Sequence, residues 1–295
     1  MILPKLLGGA LAAALLLAPA AQAEVLDPVD GFHVAALEGT RMWNHVDADG
    51  YFSLVDGAGN VLAKQSHGDF VFDVALGTDN DGQMLAVYSR CVNVVTCTLY
   101  AYNVDTATEH SLGIKGNAPS LDDGVLAFAR GRNVYVGRLG TTPRKIAHIN
   151  GSEITITDVA NSSRGVAFVV DDNIHGESMY FKPDGGGALR RLAFHRWGDQ
   201  DPLFSTPVWH RDRLYWAVTD QAPGAPAVGW VIRYTFHRRT VAAPVSPGSL
   251  DSIAFDGDTL ITSVSEDGDA NGAGQVATLD APRWGRVPAL AGLGR

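Results

Sequence analysis

Six polar side chains, His33, Asp73, Asn117, Asp158, Ser205 and Asp251, recur along the chain at intervals of 40, 44, 41, 47 and 46 residues. Two positions after each stands a small or apolar residue: Ala35, Ala75, Pro119, Ala160, Pro207 and Ile253. Three of the six are carboxylates. Brought together, they would repel one another, and the repulsion is relieved by a bound cation, by raised pKa values or by hydrogen bonds to backbone. An oxygen-rich set of this kind suits a hard cation, Ca²⁺ or Mg²⁺, or the polar head of a ligand. Each side chain alternatively satisfies backbone amides of a neighbouring element.

A second candidate cation site is "DGDANGAGQ", where Asp267, Asp269 and Asn271 precede Gly272 as in the first half of an EF-hand loop. The match ends there, because Gln275 and Thr278 occupy the positions of its later ligands, and an Asp, Asn and Gly cluster is also ordinary turn composition. No G-x-S-x-G elbow, H-E-x-x-H pair or phosphate-binding glycine loop occurs. His195 and His210 sit beside tryptophans and arginines, and Trp43, Trp209, Trp216 and Trp230 fall in strand-like runs, where aromatic residues usually serve the core.

The elements that would position these residues repeat. "YFSLVDGAGNVLAK", "LYAYNVDTATEHSL", "VYVGRLGTTPRKIAHI", "MYFKPDGGGALRRLAF", "VIRYTFHRRTVAAPV" and "QVATLDAPRWGRVPAL" are each an alternating run, a polar turn and a second run. That pattern is a β-hairpin. Two further strand-like runs precede each one, for example "FVFDVALG" and "QMLAVYSR" before the second. Four strands, six times, predicts an all-β chain folded as a six-bladed β-propeller, with blades at about 31–65, 69–113, 116–149, 153–194, 203–245 and 249–290. A β-sandwich or two smaller β domains is the competing architecture.

Runs such as "LYAYNVDTAT", "GVLAFAR" and "DNDGQMLAVYS" resemble the exported six-bladed propellers of the TolB and WD40-like repeat group, over about residues 31–290. The "SPDG" turn typical of that group is absent. In such a ring the first strand of each blade lines a central channel, so the polar column becomes a ring near one mouth. Two functions follow. One is a non-catalytic propeller binding a protein, peptide or glycan at one face. The other is a hydrolase resembling the metal-dependent propeller lactonases or the propeller glycosidases, with Asp73, Asp158 and Asp251 as ligands or as acid and base. Convergence of the three carboxyl groups favours the enzyme, and side chains tied to backbone favour the binder.

The chain's two cysteines, Cys91 and Cys97, flank a five-residue loop. C-x5-C matches neither zinc-site nor C-x-x-C redox spacing, so the pair is read as a disulfide pinning a hairpin in an oxidising compartment. The compartment comes from the first 23 residues: Lys5, the apolar run LLGGALAAALLLAP, then Ala21-Gln22-Ala23, the pattern of a secretory signal peptide. That run of about 14 residues is short of the about 20 that a membrane-spanning helix needs.

The mature remainder, about 270 residues, is long enough for a full core and is expected to be one secreted or periplasmic domain, acting as a monomer. A net charge of −9 with five lysines argues against nucleic acid or an anionic membrane as partner. Cleavage after Ala23 is expected, so the intact mass of the exported protein should correspond to a chain beginning at Glu24. A retained leader in that mass would remove the reading.

Overall fold

The computed structural model describes residues 25–27, 31–47, 49–64, 71–93, 96–196, 204–220, 228–235, 238–242, 246–265, 274–279 and 284–285. The alternation read from the sequence becomes burial. In Thr96–Asn103 every second side chain is buried, and in Gly165–Asp172 the first six residues are buried in a row, as befits a strand covered on both faces. A four-stranded sheet buries one face against each neighbour, and six of them pack around an axis to make a six-bladed β-propeller. Among the described residues the only helical turn is Asp184–Gly186.

Blade 1 comprises Gly31–Leu37, Thr40–Val46, Phe52–Asp56 and Val61–Lys64, and blade 2 Ala75–Thr78, Met84–Asn93, Thr96–Asn103 and Thr108–Lys115. Blade 3 holds Asn117–Asp122, Val125–Arg130, Asn133–Arg138 and Arg144–His148, and blade 4 holds Ile154–Ser162, Gly165–Asp172, Gly176–Pro183 and Arg190–Arg196. Blade 5 is built from Val208–His210, Arg213–Asp220, Val228–Thr235 and Arg238–Ala242. In blade 2 the cysteines are cross-strand partners, and Cys91 and Cys97 form the expected disulfide. Their Cα atoms are 4.0 Å apart, at the tip of the hairpin.

Blade 6 departs from the sequence reading. Its inner strands are Ser249–Asp256, Thr259–Ser265 and Gly274–Leu279, but the outer strand comes from the other end of the chain, with Val25 opposite Ala277 and Asp27 opposite Val276. The hairpin expected over 275–290 is therefore not what completes this sheet, and Trp284–Gly285 pairs instead with Val241 and Ala242 at the rim of blade 5. A ring made by one chain must join its two ends, and an N-terminal strand in the last blade does so with backbone hydrogen bonds. Asp27 extends the clasp: its Oδ2 accepts from Trp43 Nε1 of blade 1 at 2.7 Å. At Gly31, where blade 1 leaves the clasp, a Cβ would lie 2.3 Å from Val276.

The inner strands of blades 2 and 5 are shorter than expected, starting at Ala75 and Val208. The amides ahead of them are drawn to the preceding blade: Phe72 N–H donates to Asn44 Oδ1 at 2.6 Å and Phe204 N–H to Glu177 Oε2 at 2.8 Å. The same kind of tie crosses every other junction. Ala118 N–H donates to Asp73 Oδ2, Asn161 N–H to Ser120 Oγ, Leu250 N–H to Thr219 Oγ1 and Val34 N–H to Ser252 Oγ, all between 2.9 and 3.0 Å. Val34 and Ala118 lie in β-bulges, which release their amides from their own ladder.

The closing junction has a further clamp. Asp256 at the end of the blade 6 inner strand accepts from Gly39 N–H and Arg41 Nε of blade 1, both at 2.8 Å. Asp256→Ala strips two charge-assisted bonds from the junction that closes the ring, so it should cost about 2 kcal/mol in urea unfolding. A loss within error would show that ring closure does not depend on this clamp.

Candidate functional site

The six expected residues lie on the inner strands or just ahead of them, Asp158 in the middle of its strand, and Asp73, Asn117, Asp158 and Ser205 are hydrogen-bonded within the fold. Asp73 Oδ2 receives Ser89 Oγ and the Ala118 amide, each at 3.0 Å. Burial pushes the Asp73 carboxyl above the usual carboxylate range; His33 and the two hydrogen bonds pull it down, and Asp158 pushes it up. His33 is half-buried and has φ 46°, the left-handed geometry of its bulge. Asn117 Nδ2 donates to Ile156 O at 3.3 Å, from blade 3 to blade 4. Asp158 Oδ1 accepts from Thr206 Oγ1 at 2.6 Å, from blade 5 to blade 4. Ser205 is buried and its Oγ accepts from Ala217 N–H at 2.7 Å. Asp251 is half-buried at the seam of blades 6 and 1, beside Gly274.

His33, Asp73 and Asp158, from blades 1, 2 and 4, thus share one electrostatic field. Among the described residues no group of three His, Cys, Asp or Glu side chains is placed to hold a metal ion. Asp267, Asp269 and Asn271 lie outside the described residues.

Two acidic residues that the sequence did not single out join this end of the ring. Asp171 and Glu177 are direct cross-strand partners in blade 4, and His195 is the partner of Glu177 on its other side. Glu177 is only 8% exposed. Burial pushes its carboxyl up to about 7 against the pull of the Phe204 amide, with the charges of Asp171 and Asp158 adding to the rise. Asp171 is raised by burial and by Asp172. A Glu at the second position of a strand of mixed composition carries no sequence signal of burial, because buried glutamates are rare and this one is made so by the neighbouring blade.

Further along the same six strands lies a central cavity of about 330 Å³, with all six blades in its wall. The small and apolar column forms part of that wall: Ala35, Ala75, Pro119, Ala160, Pro207 and Ile253. Asp122, Trp209 and His210 add polar groups. Trp209 Nε1 donates to Ala160 O at 3.2 Å, and the His210 ring stacks on Phe255 with centroids 4.5 Å apart. Burial holds His210 below the usual histidine range and lifts Asp122 above the carboxylate range. The arrangement is a half-open recess of mixed apolar and polar lining, at the small end of the size range of ligand pockets.

No protein-family model matches the chain, and no curated protein matches it in sequence. Its likeness is to solved structures. A protein of unknown function from Dyadobacter fermentans is 9% identical, with 90% of this chain and 99% of that chain covered and a TM-score of 0.58. A chain of the mitotic checkpoint complex is 12% identical, with 95% and 98% covered and a TM-score of 0.50. A prolyl endopeptidase is 15% identical at a TM-score of 0.49, and the match covers 90% of this chain but 44% of that one. At these identities the likeness is one of fold alone.

Glu177 titrates higher in the fold than in the unfolded chain, so its contribution is favourable below about pH 4.5 and is lost as pH rises to about 7. Glu177→Gln removes the cost of a buried charge while keeping an acceptor for Phe204 N–H. Relative to wild type the variant should gain about 2 kcal/mol between pH 5 and 8 in parallel denaturant titrations. A difference that does not change with pH would place Glu177 in a solvated setting.

Proposed function

We propose that this protein is an exported, non-catalytic propeller that binds a protein, peptide or glycan at one face of the ring, with the tip of the ligand seated in the central channel. The observation that carries this reading is the cavity of about 330 Å³ walled by the inner strands of all six blades. The apolar part of its wall desolvates a tip, and Asp122 and His210 offer directional contacts that orient one. The polar column supports binding over metal chemistry, since Asp73 is tied to backbone and Asp158 and Ser205 are tied across or within blades. The Cys91–Cys97 disulfide supports export, as do the features of the first 23 residues, and no described helix is long and apolar enough to cross a membrane.

A second reading, a hydrolase at the channel mouth, rests on Glu177: a carboxyl pushed up to about 7 within the field of Asp158 is the pattern of an acid and base pair. The two readings separate in one experiment. The mature protein is screened on peptide and glycan arrays beside Ala75→Trp, which fills the channel from its wall. Ligands that bind wild type should lose at least tenfold in affinity to the blocked variant while its melt is kept. Retention of binding in a folded Ala75→Trp protein would remove the channel from the interaction, and turnover of a glycoside or lactone that vanishes in Glu177→Gln would replace the binder with the enzyme.

A further inference from the structure

Beside the channel a second cavity of about 280 Å³ opens between blades 3 and 4, and Asn161 and Asp122 belong to the walls of both. Its lining is ordered by the strands that supply it. On blade 4, Asn161, Val166 and Lys182 are successive cross-strand partners from the inner strand outward. On blade 3, Val125 pairs with Arg138 and Val136 with Arg144 in the same outward sense. From the axis outward the lining is Asn161 and Asp122 on the first strands, with Asp123 in the turn that follows, then Val125 and Val166 on the second strands, Val136, Arg138 and Lys182 on the third, and Arg144 on the fourth, so the charge runs from acidic to basic. Asn161 and Lys182 are two strand spacings apart, about 10 Å.

The inner end is rich in acceptors. Asn161 is 6% exposed, and its Nδ2 donates to Val125 O at 2.8 Å, which fixes the orientation of the amide. Its Oδ1 is left without a hydrogen-bond partner, an expensive state for a buried acceptor. Beside it burial lifts Asp122 above the carboxylate range and the charge of Asp123 adds to the rise, against the pull of a hydrogen bond from the Ser163 amide. A carbonyl oxygen next to two carboxylates calls for an ammonium group, which supplies three N–H donors and the missing positive charge.

The outer end calls for the opposite charge. Arg138 Nη1 donates to Asn80 Oδ1 at 2.9 Å and Lys182 Nζ to Gly187 O at 2.6 Å, both neutral acceptors that leave the cations uncompensated. Arg144 is exposed and its guanidinium has no partner among the described residues. Asp184 shares this end, so three cations face one carboxylate there.

We propose that this pocket binds a ligand carrying a primary ammonium and a carboxylate at opposite ends of an apolar stem, the chemistry shared by a free ω-amino acid and a C-terminal lysine of a peptide. The ammonium meets Asn161 Oδ1 and Asp122, the stem lies along Val125, Val136 and Val166, and the carboxylate meets Arg144 and Lys182.

The experiment is calorimetry of the full mature chain with 6-aminohexanoate, hexylamine and hexanoate as probes, and with a lysine-ended peptide as free acid and as C-terminal amide. Saturable binding of 6-aminohexanoate is expected, with hexylamine and hexanoate each at least tenfold weaker. Arg144→Gln, at an exposed position, should weaken it about fivefold without moving the melt. Asn161→Ala should abolish it, and because that variant also loses the tie to Val125, Lys182→Gln serves as the second test beside Arg144→Gln. Tighter binding of the peptide acid than of 6-aminohexanoate, lost on amidation, assigns a chain end as the source; the reverse order assigns a free amino acid. No saturable binding at millimolar probe, equal affinity for hexylamine, or indifference to both rim variants overturns the proposal.

Discussion

The ring depends on a hydrogen bond that no single blade can make. At each of the six junctions a polar side chain of one blade accepts the N–H of a residue on or just ahead of the next blade's inner strand. A blade packed against its neighbour through apolar faces can slide, because hydrophobic contact is not directional. A buried side chain that must find one backbone amide fixes height and rotation at once, since an amide left unpaired there costs far more than the bond itself is worth. The bulges at Val34 and Ala118 belong to the same device: the ladder gives up an amide so that the neighbouring blade can hold it.

That constraint shapes the chemistry near the axis. Glu177, buried, and Asp73, half-buried, serve as acceptors at junctions, and the loss of solvent there lifts their carboxyl groups above the usual range. Asp158 lies within the field of both. The acidic end of the ring is thus a by-product of how the blades are joined. The recess further along the strands shares some of this duty, since Val34, Ser120 and Asn161 of its wall take part in junction bonds, while small residues such as Ala75 and Ala160 leave its space open.

Much of the architecture was legible because strand patterning is local. Alternation in "TCTLYAYN" and the turn after it predict a hairpin whatever surrounds them, and six such units imply a ring. The Cys91–Cys97 bond was legible for the same reason, because partners six residues apart across a hairpin tip need no long-range information. The sixth blade was misread where local pattern failed: residues 275–290 read as a hairpin, whereas the strand that pairs with Gly274–Leu279 lies some 250 residues earlier in the chain. The three residues Val25–Asp27 carry too little pattern to announce a strand, and only closure of the ring gives them a partner.

By itself the sequence determined the number of blades, the hairpin disulfide, and a column of polar residues with a small or apolar column two positions on, because each follows from short-range periodicity and chain covalency. The tertiary structure alone decided that the small column walls a cavity while the polar column is largely spent on holding blades and strands together. It alone revealed Glu177 and Asn161, whose significance lies in burial by a neighbouring blade and in a hydrogen bond made or missing there. Burial and hydrogen-bond satisfaction are properties of what surrounds a residue, and in a ring the surroundings come from blades some 40 residues away in the chain.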